Sequence, residues 1–89
     1  MAMTVHCDIV SAEEELFSGL VEMVIAHGHL GDLGILPGHT PLLAVLAAGE
    51  VGIHTGSGRS TATVDGGFMS VDHDRVTIVS EQVSADGLS

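Results

Sequence analysis

Apolar and polar residues alternate with a period of two along most of this chain, and glycines interrupt the alternation at short intervals. Val5 to Val10 reads Val-His-Cys-Asp-Ile-Val, with β-branched residues at both ends. It predicts a short strand, followed by a turn at Ser11-Ala12. Glu13 to Phe17 has the signature of a helix start, with Ser11 as the cap and Glu14 three residues on. Gly19 and the run Val21, Met23, Val24, Ile25 argue against continuing that helix. Leu20, Glu22 and Val24 alternate with Val21, Met23 and Ile25, which suits a strand. The segment therefore predicts two strand pieces with a bend near Ser18-Gly19.

Leu33, Ile35 and Leu36 form a short apolar piece that stops at Pro37-Gly38, and Leu42 to Leu46 is another. Glu50 to Thr55 alternates and ends at Gly56-Ser57-Gly58, a hairpin signal. Ser60 to Val64, Phe68 to Val71 and Arg75 to Ser80 follow as strands, separated by turns at Asp65-Gly66-Gly67 and Asp72-His73-Asp74. In the last strand Val76 and Ile78 share one face, Thr77 and Val79 the other. The stretch from Glu81 reads as loosely ordered. Short strands between glycine-bearing turns indicate an all-β sandwich or barrel. Residues 1–84 read as one domain and 85–89 as a short flexible tail.

Eighty-nine residues suffice for one domain with a limited core. Cys7 is the only cysteine, so no internal disulfide forms, and a reducing compartment is expected. Charge narrows the partners. Twelve acidic residues stand against Arg59 and Arg75, with no lysine, for a net charge of −10. Nucleic acids and anionic membranes are bound through Lys and Arg, so both are disfavoured. A basic protein surface is the better match. There is no signal peptide pattern, and Leu42–Ala48 falls far short of the ~20 apolar residues of a membrane span. A soluble cytosolic protein is expected.

Six histidines raise a metal hypothesis. His27 and His29 would share one face of a strand, and Asp32 and His39 would complete a ligand set. A small metal-binding β-barrel using His27, His29 and His39 is thus the alternative reading. Nucleophilic catalysis has less support. His6 and Cys7 point to opposite faces of a strand, and neither Ser18 nor Ser70 lies in a Gly-x-Ser-x-Gly setting. The adjacent carboxylates of Glu13, Glu14 and Glu15 cannot face each other across a cleft. Phe17 and Phe68 are the only aromatics, which leaves little for stacking on bases or sugars. A binding or structural part is favoured over an enzyme.

Gly31 to Leu43 (Gly-Asp-Leu-Gly-Ile-Leu-Pro-Gly-His-Thr-Pro-Leu-Leu) is the most distinctive stretch. Pro37 and Pro41 fix two backbone angles, Gly38 permits positive φ, and Pro41 holds Thr40 extended. The result is a preorganised loop of the kind that carries binding. This stretch resembles the Gly-Glu-apolar-Gly-Ile-x-Pro-Gly-His-x-Pro segment of the epsilon subunit of F-type ATP synthases. Met1–His6 and Asp8–Glu13 resemble that family's first strand, and Phe17-Ser18-Gly19 its following Phe-Ser-Gly. Asp65–Val71 resembles its Gly-Gly hairpin and Val76–Val79 its final strand. The likeness covers about residues 3–83.

The resemblance implies a sandwich of about ten short antiparallel strands. It implies a non-catalytic central-stalk subunit of a bacterial F1Fo ATP synthase, peripheral on the cytoplasmic face of the inner membrane. The expected partners are the gamma subunit and the c-ring of Fo, and no cofactor is implied. By motif, Gly28, His29, Gly31 and Asp32 would meet the c-ring. Pro37, Gly38, His39, Thr40, Pro41 and Leu42 would meet gamma. The family's usual helical hairpin, rich in Ala, Lys and Arg, has no counterpart before Ser89. Inhibition of ATP hydrolysis and ATP binding are therefore not expected. Ala47-Ala48-Gly49 stands where the family often has Lys-Pro-Gly.

Overall fold

The computed structural model describes residues 4–38, 40–56 and 58–87. The strands are β1 (Val5–Val10), β2 (Glu15–Val21), β3 (Met23–Gly28), β4 (Gly31–Ile35) and β5 (Leu42–Leu46). They continue as β6 (Gly49–Thr55), β7 (Gly58–Val64), β8 (Gly67–Asp72), β9 (Arg75–Val79) and β10 (Val83–Gly87). The all-β, ten-strand expectation is what the molecule adopts.

Hydrogen-bonded neighbours run β10-β7-β6-β3-β5-β8-β9-β1-β2, with β4 paired to the other side of β3. Only Gly28↔Leu46 joins β3 to β5 in the register. The chain folds over there into two layers, β10-β7-β6-β3-β4 and β5-β8-β9-β1-β2, and β2 returns against β6. Alternate residues of both layers fill the space between them. Val5, Cys7 and Ile9 of β1, Met69 and Val71 of β8, and Val76 and Ile78 of β9 face Val24, Ala26, Ile35, Val51, Ile53, Ala62 and Val64. Each fully buried aliphatic of this kind stabilises the fold by roughly 1.5–3 kcal/mol relative to exposure.

Cys7 belongs wholly to this core. Burial, with the charge of Asp8 second, pushes its thiol up to about 12. It stays protonated and unreactive, a small apolar residue in effect.

Three features differ from the sequence expectations. Pairs are antiparallel except β1 and β9, which run parallel with His6↔Arg75 through Val10↔Val79. Hairpins fix the direction of sequential neighbours only, and these two strands are far apart in the chain. The break between β2 and β3 falls at Glu22, not near Ser18-Gly19. Gly19 stays inside β2, paired with Cys7 of β1. The turn expected at Ser11-Ala12 is present: the Ser11 hydroxyl accepts from the amides of Glu13 (3.3 Å) and Glu14 (3.2 Å) and closes it. Finally, Val83–Gly87 forms a strand on β7 where the sequence reads as loose. The buried Ser80 hydroxyl donates to Asp65 at 2.6 Å, and the Gln82 amide donates to the same carboxylate at 3.2 Å. These bonds fasten the start of β10 to the β7–β8 turn. They also hold the Asp65 carboxyl below the usual range, the Ser80 bond most of all.

Candidate functional site

The outer face of the β5-β8-β9-β1 layer is built in rows, because register places alternate residues side by side. One row reads Val45, Phe68, Val79, Val10 across four strands. The next reads Leu43, Ser70, Thr77, Asp8, Ser18. A third reads Asp72, Arg75, His6, Leu20. One end of the face is therefore apolar and the other polar. Leu43 is 73% exposed, Phe68 54% and Val45 51%, so an apolar ladder faces outward with no covering element among the described residues.

The polar end holds a serine, a histidine and an aspartate together. Ser18 Oγ donates to Asp8 Oδ1 at 2.8 Å, and His6 Nε2 lies 3.0 Å from the same oxygen. Arg75 Nε donates to Asp8 Oδ2 at 3.1 Å. In a catalytic triad the imidazole stands between hydroxyl and carboxylate. Here His6 Nε2 lies 3.1 Å from Ser18 Oγ as well, so a single ring nitrogen meets both groups, and the serine donates straight to the carboxylate instead of through the imidazole. The network is structural. Partial burial would raise the Asp8 carboxyl, but the Ser18 and His6 hydrogen bonds and the charges of His6 and Arg75 outweigh it. Asp8 is therefore held below the usual carboxylate range.

A group whose value is depressed on folding stabilises above its unfolded value, about 4 for aspartate. That contribution is lost as pH falls through the lower folded value. An Asp8→Asn variant is thus expected to melt below the parent at pH 7 and to converge with it near pH 2. Equal separation of the two melting temperatures at both pH values would remove Asp8 from the acid response.

At the apolar end stands the β3–β4 hairpin. Its turn, His29-Leu30, leaves the Leu30 side chain fully exposed. Beside it a groove of about 490 Å³ is lined by Gly28 to Leu33 and by Leu43, Ala44 and Val45. The groove is continuous with the apolar ladder through Leu43 and Val45. Asp32 supplies its carboxylate and is bonded across the hairpin to His27, Nδ1 to Oδ1 at 2.6 Å.

Gly28, His29, Gly31 and Asp32, expected from motif as one contact set, all sit at this hairpin end. Pro37, Gly38, Thr40 and Pro41 form the link from β4 to β5, and Leu42 opens β5 with its side chain against the core. Gly38 takes φ +83°, and its amide donates to Asp74 Oδ1 at 3.2 Å, which ties the link to the β8–β9 turn. His39 lies outside the described residues.

The metal reading finds no support. His27 is engaged by Asp32, and His29 lies in the turn beyond the end of β3, where strand periodicity no longer applies. Among the described residues no three of His, Cys, Asp or Glu gather as a metal site. Sequence reasoning missed Leu30, Leu43, Val45, Phe68 and Val79 as a surface. The available signal was Leu42–Leu46, apolar at both parities of a strand that has only one core to face.

The beta-sandwich domain model of the ATP synthase delta/epsilon chain matches residues 4–86. A chain of the Euglena gracilis mitochondrial ATP synthase superposes with a TM-score of 0.83 at 22% identity. That match covers 93% of this chain and 53% of the Euglena one, so this chain spans about half its length. A chain from the central stalk/c-ring structure of the Tetrahymena thermophila mitochondrial ATP synthase gives 0.76 at 17% identity, covering 100% and 75%. The ten strands and the family match over nearly the whole chain agree: this chain belongs to the delta/epsilon family of ATP synthase chains, by its beta-sandwich domain.

Proposed function

We propose that this chain is a non-catalytic rotor subunit of the central stalk of a bacterial F1Fo ATP synthase, fixing gamma to the c-ring so that proton-driven rotation is transmitted. The observation that carries this reading is the continuous apolar surface from Leu30 through the groove to Val45, Phe68 and Val79. A stable free monomer has little reason to leave such a ladder open. The hairpin tip, with Gly28, His29, Gly31 and Asp32, is the c-ring contact, and Asp32 suits a basic loop there. The link from Pro37 to Leu42, His39 included, together with the adjoining ladder, is the gamma contact. In this reading the subunit is peripheral. It sits with the complex on the cytoplasmic face of the inner membrane. The family match and the central-stalk setting of the Tetrahymena neighbour support this reading.

The test is reconstitution with the gamma subunit of the same complex. Co-elution on size exclusion at low and moderate salt, with no ATPase activity of the chain alone, is the expected result. Separate elution at both salt concentrations removes the assignment.

A further inference from the structure

The link from β4 to β5 is stiff at its prolines and loose between them. Pro37 and Pro41 have fixed φ, whereas Gly38 has the widest choice of backbone states and the most entropy to lose. Packing does not hold it. Gly38 lies at φ +83°, and open space surrounds the position a Cβ would take. What holds it is a hydrogen bond from its amide to Asp74 Oδ1 at 3.2 Å, 36 residues away in the chain.

Asp74 is itself firmly placed. It stands in the turn between β8 and β9, directly after His73. His73, at φ +54°, is the one non-glycine residue with positive φ among the described residues. Such a conformation is uncommon outside glycine, and it persists where the surrounding structure holds it. The main-chain carbonyl of Asp74 accepts from the amide of His6 at 2.7 Å, just where β1 begins its parallel pairing with β9. One residue thus joins three segments: β1 through its carbonyl, the β8–β9 turn through its own backbone, and the link through its carboxylate. The carboxylate is not engaged in an ion pair. Arg75, next in the chain, turns to Asp8 instead, and no cation pairs with Asp74 among the described residues.

We infer that Asp74 is a positioning residue for the gamma contact: its carboxylate selects the Gly38 conformation in which the link from Pro37 to Leu42 meets gamma. The inference rests on the docking function proposed above. Asp74 acts through Gly38 and is not itself the docking surface. Without the bond Gly38 spreads over other backbone states, and gamma binds only the fraction that keeps the docked shape. Apparent affinity falls by that fraction.

Calorimetric titration with the gamma subunit of the same complex tests this on three variants. Asp74→Ala is expected to bind about 10-fold more weakly, the loss of one hydrogen bond to a charged acceptor. Its urea midpoint stays near that of the parent, because the Asp74 carbonyl still accepts from His6. Asp74→Asn keeps an oxygen acceptor at the same place and is expected to recover affinity to within about 3-fold. Asp72→Ala removes a charge beside the same turn without touching the link and is expected to stay within about 2-fold. In the free chain, hydrogen exchange at the Gly38 amide quickens in Asp74→Ala and not in Asp74→Asn. Four results overturn the inference while the docking function stands. The first is parental affinity in Asp74→Ala, and the second is an Asp74→Asn variant as weak as Asp74→Ala. The third is equal weakening by Asp72→Ala, which makes the effect one of charge. The fourth is a lowered urea midpoint that accompanies the loss of binding, which makes Asp74 a residue of the fold. A parent chain that does not bind gamma overturns both readings.

Discussion

Replacing Gly67 by alanine is expected to be the most destabilising single methyl addition in the domain, at about 4 kcal/mol or more. Gly67 opens β8 at φ +111°, a region that L residues rarely occupy. Strain of this kind costs about 1–3 kcal/mol by itself. The space is closed as well. A Cβ there would run into the carbonyl oxygen of Val79, with Val79 C and Ser80 Cα at 3.0 Å. All three are backbone atoms of the neighbouring strand and its exit, so no side chain can swing aside. Relief requires β8 and β9 to separate where Phe68 pairs with Val79. That opening would also loosen Met69 and Ile78, both fully buried.

The combined cost reaches about 4 kcal/mol or more, against a total of roughly 5–15 kcal/mol for a domain. Urea unfolding followed by circular dichroism should show the midpoint falling by about 2 M or more at a typical slope. Gly34→Ala is the control. Its site has ordinary φ and open space around the added methyl, so it should shift stability by less than ~1 kcal/mol. A Gly67→Ala variant as stable as that control would refute the close approach of β8 and β9.

The contrast between these two glycines also marks how far the sequence could be read. The sequence places Gly67 in a turn and Gly34 in a short apolar piece, and neither placement says which of them tolerates a methyl group. What separates them is the backbone that passes by, and that comes from residues twelve positions away. Where the cause is local, the reading holds. Val5, Cys7 and Ile9 go inward because β1 alternates, and so do Met69 with Val71 and Val76 with Ile78. The turns at Asp65–Gly67 and Asp72–Asp74 follow from their own residue types, and His73 takes φ +54° there.

Where the cause is distant, the reading fails. β10 keeps few apolar anchors of its own; Asp65 fixes its approach by bonding Ser80 and Gln82. The parallel pairing of β1 with β9 has no local signal at all. The site divides in the same way. The Gly31 to Leu43 stretch stands out by its prolines and glycines, and the hairpin set Gly28, His29, Gly31 and Asp32 does come together. The apolar ladder stayed hidden. Val79 could be assigned an outward face from alternation alone. Its neighbours Phe68 and Val10 could not, because adjacency across strands is a matter of register.

That ladder makes the strongest functional prediction. Val45→Asp with Phe68→Asp is expected to weaken binding to the gamma subunit by 100-fold or more while the domain still folds. Neither side chain belongs to the buried core, and both project from the outer face of their strands. The folding cost is therefore limited to strand preference, about 1 kcal/mol at each site. At a docked face the same changes act twice. They remove an aromatic anchor, and central residues of this kind contribute ~2 kcal/mol or more to binding. They also bury unpaired carboxylates when the partner closes over them, which costs more than the lost contact. Added negative charge could slow association by itself, so a second variant separates the effects. Thr63→Asp puts a carboxylate on an exposed position of β7 in the opposite layer and should leave affinity within about 2-fold. Calorimetric titration of gamma with all three proteins reads the difference, and urea midpoints check that each is folded. If the doubly substituted chain binds gamma as tightly as the parent, the Val45–Phe68–Val79 face is not the docking surface and gamma must be held elsewhere on the sandwich.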